Sequence, residues 1–147
     1  MSREKSNPDY PPSQRAFNFL RMAQDFYNAY KRCPDTTPPN YPKYFLGCHC
    51  IELALKAFLL SKGVGIDAVI GKGHNLESLL RECGDMGLSV SEKLKTCLPK
   101  INEIHGGYWN RYPMERSMQV VLLENIDDDL DKLMIDVNPY VGVASDQ

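Results

Sequence analysis

The sequence has little to place it in a membrane, in a secretion pathway or on nucleic acid by charge alone. Its one long apolar stretch is interrupted by Glu52 and Lys56, so it falls short of the roughly 20 residues that a membrane span requires. The first residues, MSREKSNPDYPP, lack the apolar segment of a signal peptide. The net charge of -2 gives no general attraction for nucleic acid, so such binding would need a local basic patch.

The sequence also lacks internal repeats and the paired cysteine spacing that is typical of metal sites. The five cysteines form an odd set that falls on predicted helices, which favours free buried thiols in a reducing cytoplasm. The spacing H-x-x-E occurs once, at His49 and Glu52, whereas a di-iron bundle needs further copies. Cys48, His49 and Cys50 point to three sides of a helix and cannot hold one ion together. We therefore expect no metal, no cofactor and no cysteine nucleophile.

What the sequence does have is a strongly apolar central stretch, residues 44–62, YFLGCHCIELALKAFLLSK. It is apolar around most of a helical circumference, which is typical of a helix in the middle of a bundle. His49, Glu52 and Lys56 fall within roughly 60° of one another on that helix. This polar stripe must meet partners or solvent, and it is the first candidate for a functional site.

Apolar residues recur at helical spacing on both sides of the central stretch. A first helix is expected to follow Ser13 as its cap, and four prolines in residues 33–42 must then turn the chain. A short helical turn is expected over residues 66–70, and a third helix after Asn75 as its cap. The spacing of Ser89 and Glu92, S-x-x-E, predicts a capping box that opens a fourth helix.

Pro99 lies within the apolar stripe of the fourth helix and should kink or divide it. A fifth helix is expected from about residue 120 to Asn138 and Pro139. Its acidic outer face comprises Glu124, Asp127, Asp128, Asp129 and Asp131. The sequence therefore predicts an all-α, up-and-down bundle of four to five helices over residues 13–138. Residues 1–12 are expected to form a flexible arm, and residues 139–147 a flexible tail.

Three passages in this order resemble the HEPN domain, a helical module of prokaryotic and eukaryotic nucleotide-binding proteins. They are CIELALKAFLLSKG at 50–63, GHNLESLL at 73–80 and YWNRYP at 108–113. The resemblance covers about residues 12–137. It implies a HEPN-like bundle that forms a homodimer and serves RNA biology or defence. It also implies binding of RNA or nucleotide, or a nucleotidyltransferase partner in a toxin–antitoxin pair.

Many members of that family cleave RNA without metal, and those members carry an Arg followed by a His with four to six residues between. No Arg in this chain precedes a His at that spacing, and Lys100 with His105 is the nearest approximation. Lysine supplies charge to a phosphate but not the planar fork of arginine. The resemblance therefore favours a binding role over ribonuclease activity.

Each candidate site residue has a structural alternative. Glu52 and Lys56 have the spacing of an ion pair, and His49 and His74 could pack or orient a turn rather than meet a ligand. His105 is the right residue type for acid–base catalysis, and Arg111 for binding a phosphate. The aromatic rings of Trp109 and Tyr112 could stack on bases. Alternatively, Trp109 and Tyr112 fill the gap between the fourth and fifth helices, and Arg111 pairs with an acidic side chain. The ligand-binding candidates are His49, Glu52, Lys56, His74, Trp109, Asn110, Arg111 and Tyr112.

Three functions are compatible with these residues. The first is binding of RNA or nucleotide, or of a nucleotidyltransferase-type partner, in a prokaryotic regulatory or defence system. The second is a metal-independent endoribonuclease that uses His105 and Arg111 with help from Lys100. The third is a structural protein-interaction module. In the first two, the stripe of the central helix is expected to face the loop around Arg111 across a cleft.

Overall fold

The described part of the chain is built from helices, and no strand occurs in it. The computed structural model describes residues 11–35, 40–106 and 127–141, apart from the side chains at positions 12, 100 and 103–106. Its helices are α1 (Pro12–Arg32), α2 (Tyr41–Ser61), α3 (Ile66–Gly71), α4 (Leu76–Asp85), α5 (Glu92–Gly106) and α6 (Asp127–Val141). The all-α prediction is confirmed. The described helices number six rather than four or five because the turn expected at 66–70 is a helix of its own.

Helix α2 is the centre of the bundle and contacts every other described helix. Its apolar residues are buried on nearly all sides, including Ile51, Leu55, Phe58 and Leu59. By length and composition alone α2 could cross a membrane, contrary to the sequence argument, but 78% of its most apolar window is buried inside the bundle. The core helix of a helical bundle has the same length and apolar composition, so these two properties do not identify a membrane span. Glu52 and Lys56 are the buried charged residues of the described core.

Two helix starts differ from the sequence prediction. Helix α1 begins at Pro12, one residue before the expected cap Ser13, because proline is well suited to the first position of a helix. Helix α5 is capped by Ser91, whose hydroxyl accepts a hydrogen bond from the Leu94 N–H at 3.2 Å. Leu88 and Val90 pack against the core in non-helical chain, so the helix cannot begin as early as Ser89.

Glycines mark the ends of two helices, whereas two prolines lie inside helices that continue past them. Gly63 and Gly87 adopt positive φ angles of 90° and 102°, just beyond α2 and α4, as expected for glycine at a helix end. Helix α5 is a single helix through Pro99. Helix α6 continues through Pro139 to Val141, so residues 139–141 belong to the bundle and not to the tail.

Packing explains why α6 does not stop at its proline. The Tyr140 ring lies edge-on to Phe58, with centroids 4.9 Å apart, and Val141 is fully buried. These contacts compensate for the hydrogen bond that Pro139 cannot donate. The start of the last helix near residue 120, expected from the sequence, lies outside the described residues.

Helix α6 also directs two of its acids to side chains of α1, although both acids remain partly exposed. The Tyr27 hydroxyl donates to Asp131, and the Tyr30 hydroxyl donates to Asp127. Lys31 Nζ lies 2.8 Å from Asp131 Oδ1. The predicted outer acidic face therefore needs a correction at Asp127 and Asp131, which accept hydrogen bonds from α1 because the hydroxyl groups of Tyr27 and Tyr30 need acceptors.

Candidate functional site

Three ionisable side chains meet at the junction of α2 and α4. Lys56 Nζ lies 3.2 Å from Glu52 Oε2, and His74 Nδ1 lies 2.8 Å from Glu52 Oε1. The exposed fractions of the side chains are 3% for Glu52, 9% for Lys56 and 52% for His74. We call Glu52, Lys56 and His74 the core cluster. It connects a buried ion pair to an imidazole that solvent can reach.

Local backbone geometry brings each member to its place. Glu52 and Lys56 lie one helical turn apart on the buried helix α2, so their side chains meet on one face. Gly73, with a φ of 61°, makes the turn that delivers His74 to the start of α4. Asn75 then caps α4, as predicted, by accepting a hydrogen bond from the Ser78 N–H at 3.0 Å. His74 is therefore held between a glycine turn and a helix cap.

A side chain of a third helix, α5, also forms a hydrogen bond with the start of α4. The side-chain oxygen of Asn102, on α5, accepts a hydrogen bond from the Leu76 N–H at 2.6 Å. With Asn75 on Ser78, two of the amides at this helix end already have side-chain acceptors. These two amides are therefore occupied, and His74 is the group through which this helix end could contact a ligand.

The electrostatics of the core cluster follow from its burial. Removing two charges from water is costly unless they are paired, and here each carboxylate oxygen of Glu52 has a partner of its own. An ionised carboxylate only accepts hydrogen bonds, so the ring nitrogen that faces it, Nδ1 of His74, must carry a proton. The cluster can thus hold an imidazole at the protein surface in a fixed orientation.

His49 has a different environment from Glu52 and Lys56. Its ring is stacked on Phe45, with centroids 5.6 Å apart and an interplanar angle of 9°. It also meets Phe26 of α1 edge-on, at 4.5 Å and 75°. These contacts agree with the packed-histidine alternative for His49. The predicted stripe therefore divides into an aromatic contact with α1 and an ion pair directed toward α4.

The remaining sequence candidates are not described by the structure. The side chains of Lys100 and His105 and the whole of residues 107–126, with Trp109, Asn110, Arg111 and Tyr112, lie outside the described residues. The expected cleft between the central stripe and the Arg111 loop is therefore still a prediction. The backbone adds one fact: α5 reaches the start of α4 at Asn102, one turn before position 105.

Sequence reasoning missed a second polar cluster, formed between α1 and α6 by Tyr27, Lys31 and Asp131. We call it the surface cluster. The hydrogen bonds from Lys31 and then Tyr27 lower the pKa of Asp131, and the bond to Asp131 raises the pKa of Lys31. The sequence contained only a partial signal: Asp131 lies one turn before the apolar Met134, so it borders the packed face of its helix, but this spacing does not show that α1 lies against it.

The cysteines are free, and three of them are buried. Burial raises the pKa of the Cys50 and Cys83 thiols to about 12, and it raises that of Cys48 further. These three side chains therefore stay protonated and pack as small apolar groups. Cys33 and Cys97 are partly exposed, unlike the fully buried set that the sequence suggested. No group of His, Cys, Asp or Glu in the described ranges could hold a metal ion.

Comparisons of this chain with protein-family models, with curated proteins and with solved structures give no match.

Proposed function

We propose that this chain is a HEPN-like helical domain that binds RNA or a nucleotide at the surface around His74, in a prokaryotic regulatory or defence system. One observation carries the proposal. Glu52, in the passage at 50–63, and His74, in the passage at 73–80, are 22 residues apart in sequence and in contact at 2.8 Å. Two of the three passages that resemble the HEPN domain thus build one polar cluster.

The energetics of burial support a functional reading of this cluster. A buried ion pair is often no more stabilising than apolar residues of the same volume, so stability alone is a weak reason for Glu52 and Lys56 to be there. A side chain that a buried partner holds in one orientation and that also reaches solvent can present itself to a ligand in a fixed position. His74 is such a group, because Glu52 bonds it and half of its side chain is exposed.

The proposal is tested by fluorescence anisotropy with a fluorescein-labelled RNA hairpin and, separately, with a fluorescent ATP analogue. We expect salt-sensitive binding by the wild type. His74→Ala should weaken it about tenfold, which corresponds to about 1.4 kcal/mol. Arg111→Ala should lower the salt dependence by about one phosphate contact.

The matched control is Lys132→Ala, which removes an exposed lysine from α6 that is bound to Asp136. It should bind like the wild type. Absence of salt-sensitive binding to both probes, or equal affinities for wild type and His74→Ala, would reject the proposed site.

The nucleotidyltransferase partner and the homodimer belong to the same proposal. Both are read from one experiment, in which the tagged chain is purified together with the protein encoded beside it and its mass is measured by light scattering. A dimer mass supports the homodimer, and a co-purifying nucleotidyltransferase supports the partnered form. A monomer without such a partner would remove both from the proposal and leave ligand binding to be judged by anisotropy.

A second candidate function is metal-independent RNA cleavage. The observation that favours it is the bond from Leu76 to Asn102, because it brings α5, the helix that contains positions 100 and 105, beside the core cluster. Incubation of the protein with structured RNA and a chelator should then give cyclic-phosphate ends, and His105→Ala should abolish them. Intact RNA after incubation with the wild type would retire this candidate.

A further inference from the structure

We propose that the groove between the end of α4 and the start of α5 is a binding site for a free α-amino acid with an apolar side chain. The groove has a volume of about 540 Å³ and is lined by both helices and by the chain that joins them. Small-molecule sites commonly have volumes of about 300–1,000 Å³. The groove lies at the other end of α4 from His74, so this inference goes beyond the proposed nucleic-acid site.

The floor of the groove is apolar and is held in place by the end of α4. Leu80 and Leu88 are only 7% and 5% exposed, and Val90 packs partly buried against the core. The Leu88 N–H donates a hydrogen bond to the Cys83 carbonyl at 3.0 Å, which is the long hydrogen bond of a Schellman motif. This bond fixes the chain where it leaves the helix. The groove therefore has its shape before a ligand enters, and its floor offers an apolar surface.

Two side chains of opposite charge on the α4 side of the groove lack a partner. Arg81 and Asp85 both line the groove and lie one helical turn apart. Within the described part of the chain neither of them forms an ion pair, with the other or with a third residue. The other two charged residues of the lining, Lys95 and Glu92, lie 3.1 Å apart and neutralise each other. A ligand that satisfies both unpaired groups must carry an anion and a cation close together.

An α-amino acid has the chemistry that these groups require. Its carboxylate matches the planar fork of the Arg81 guanidinium, which binds carboxylates through two parallel hydrogen bonds. Its ammonium group, on the adjacent carbon atom, pairs with the Asp85 carboxylate. An apolar side chain then covers the floor at Leu80 and Leu88 and is removed from water. A ligand with anionic groups alone would place its charge beside the unpaired Asp85, which is unfavourable.

Gly84 is the residue that points most directly to an occupant. It lines the groove and lies inside α4, where glycine is less favourable than alanine. A Cβ at this position would meet no atom within 4 Å, and its φ is not positive, so neither packing nor backbone geometry requires glycine. The missing side chain instead keeps the wall of the groove open beside Arg81 and Asp85.

The test is a titration of the ¹⁵N-labelled full chain with L-leucine, in which the chemical shifts of the backbone amides are followed. We expect saturable shifts among residues 80–92, which line the groove. 4-Methylpentanoate is leucine without its ammonium group, and 3-methylbutylamine is leucine without its carboxylate. Each should bind about tenfold more weakly than L-leucine. D-Leucine should also bind more weakly, because three separate contacts select one enantiomer.

Variants assign the binding to the groove. Gly84→Leu fills the groove without removing a charge and should abolish binding, whereas the matched control Gly84→Ala adds one methyl group and should still bind. Arg81→Gln and Asp85→Asn should each weaken the binding of L-leucine about tenfold. Both charged residues are exposed, and thermal melts verify that each variant is folded.

Four results would overturn the inference. The absence of saturable shifts with L-leucine would remove the ligand, and unchanged binding by Gly84→Leu would remove the groove as its site. An affinity for either analogue that equals the affinity for L-leucine would show that one of the two charges is not recognised. Equal affinities for the two enantiomers of leucine would contradict the three contacts with the apolar floor, Arg81 and Asp85.

Discussion

The core cluster and the surface cluster differ chiefly in their access to water. In the surface cluster, Lys31 and Asp131 join α1 to α6 with side chains that are 35% and 37% exposed. In the core cluster, the Glu52 and Lys56 side chains are 9% exposed or less. Both pairs have similar N···O distances, 2.8 and 3.2 Å. Burial rather than geometry therefore separates their expected energetic effects.

The comparison shows where a charge pair constrains the protein most. Water screens the surface cluster, so losing one partner leaves a group that solvent can rehydrate. In the core cluster, losing one partner leaves a charge that solvent cannot reach, which is far more costly than the pair was worth. Glu52 and Lys56 therefore hold each other in place, and through Glu52 they also hold the accessible side chain of His74.

The largest effect is expected from breaking the core pair on one side. Lys56→Met keeps the volume and the apolar stem but leaves Glu52 buried without its ammonium. We expect a loss of about 3–5 kcal/mol in the free energy of unfolding, measured by urea denaturation at pH 7. A loss below about 1 kcal/mol would mean that the core pair behaves like a surface pair.

Tyr44 provides a comparison with a buried polar group that lacks a partner. Its hydroxyl has no hydrogen-bond partner among the described residues, and burial raises its pKa strongly. Tyr44→Phe removes the unsatisfied group and keeps the ring, so the protein should gain about 1 kcal/mol in thermal or urea unfolding. A loss of stability would show that the hydroxyl has a partner in solution, such as an ordered water.

A smaller effect is expected at the surface cluster. Asp131→Asn should cost about 0.2–1 kcal/mol at pH 7, since the pair is partly screened by solvent. The folded-state pKa of Asp131 is lowered by Lys31 and Tyr27. The contribution is therefore present above about pH 4, the usual range of an unfolded aspartate, and is lost as the pH falls through the lowered folded value.

The measurement is the difference in unfolding free energy between wild type and Asp131→Asn, recorded from pH 7 to pH 3. The difference should shrink as the pH falls below 4. A difference that grows toward low pH would contradict the lowered pKa of Asp131.

The smallest effect on stability is expected when both core charges are removed together. Glu52→Gln/Lys56→Met replaces the pair by groups of similar size and leaves no uncompensated charge. Its free energy of unfolding should lie within about 1 kcal/mol of the wild type. A loss as large as that of Lys56→Met alone would show that the pair itself, and not the orphaned charge, stabilises the core.

Local features of this fold were predictable from the sequence, because short-range chemistry decides them. The central position of α2 follows from its apolar circumference, and the pairing of Glu52 with Lys56 follows from their spacing. The Asn75 cap and the Gly63 end follow from known preferences at helix ends.

Contacts between distant segments were not predictable in the same way. Periodicity states which face of a helix is apolar but not which helix lies against it. The contact between His74 and Glu52, the edge-on contact of His49 with Phe26 and the bonds of Tyr27 and Tyr30 to α6 all depend on tertiary packing. The continuation of α6 past Pro139 likewise depends on the contact of Tyr140 with Phe58.

The most direct test of the central claim compares the two clusters as ligand sites in one experiment. The ¹⁵N-labelled full chain is titrated with a 12-nucleotide RNA, and the chemical shifts of the backbone amides are followed. The surface cluster, which borders a groove of about 320 Å³ lined in part by Leu20 and Met134, serves as the internal reference. We expect the largest shifts at His74 and its neighbours in α4 and α2, with Tyr27 and Asp131 unchanged. Shifts confined to α1 and α6, or none at saturating RNA, would contradict the assignment of the site to the core cluster.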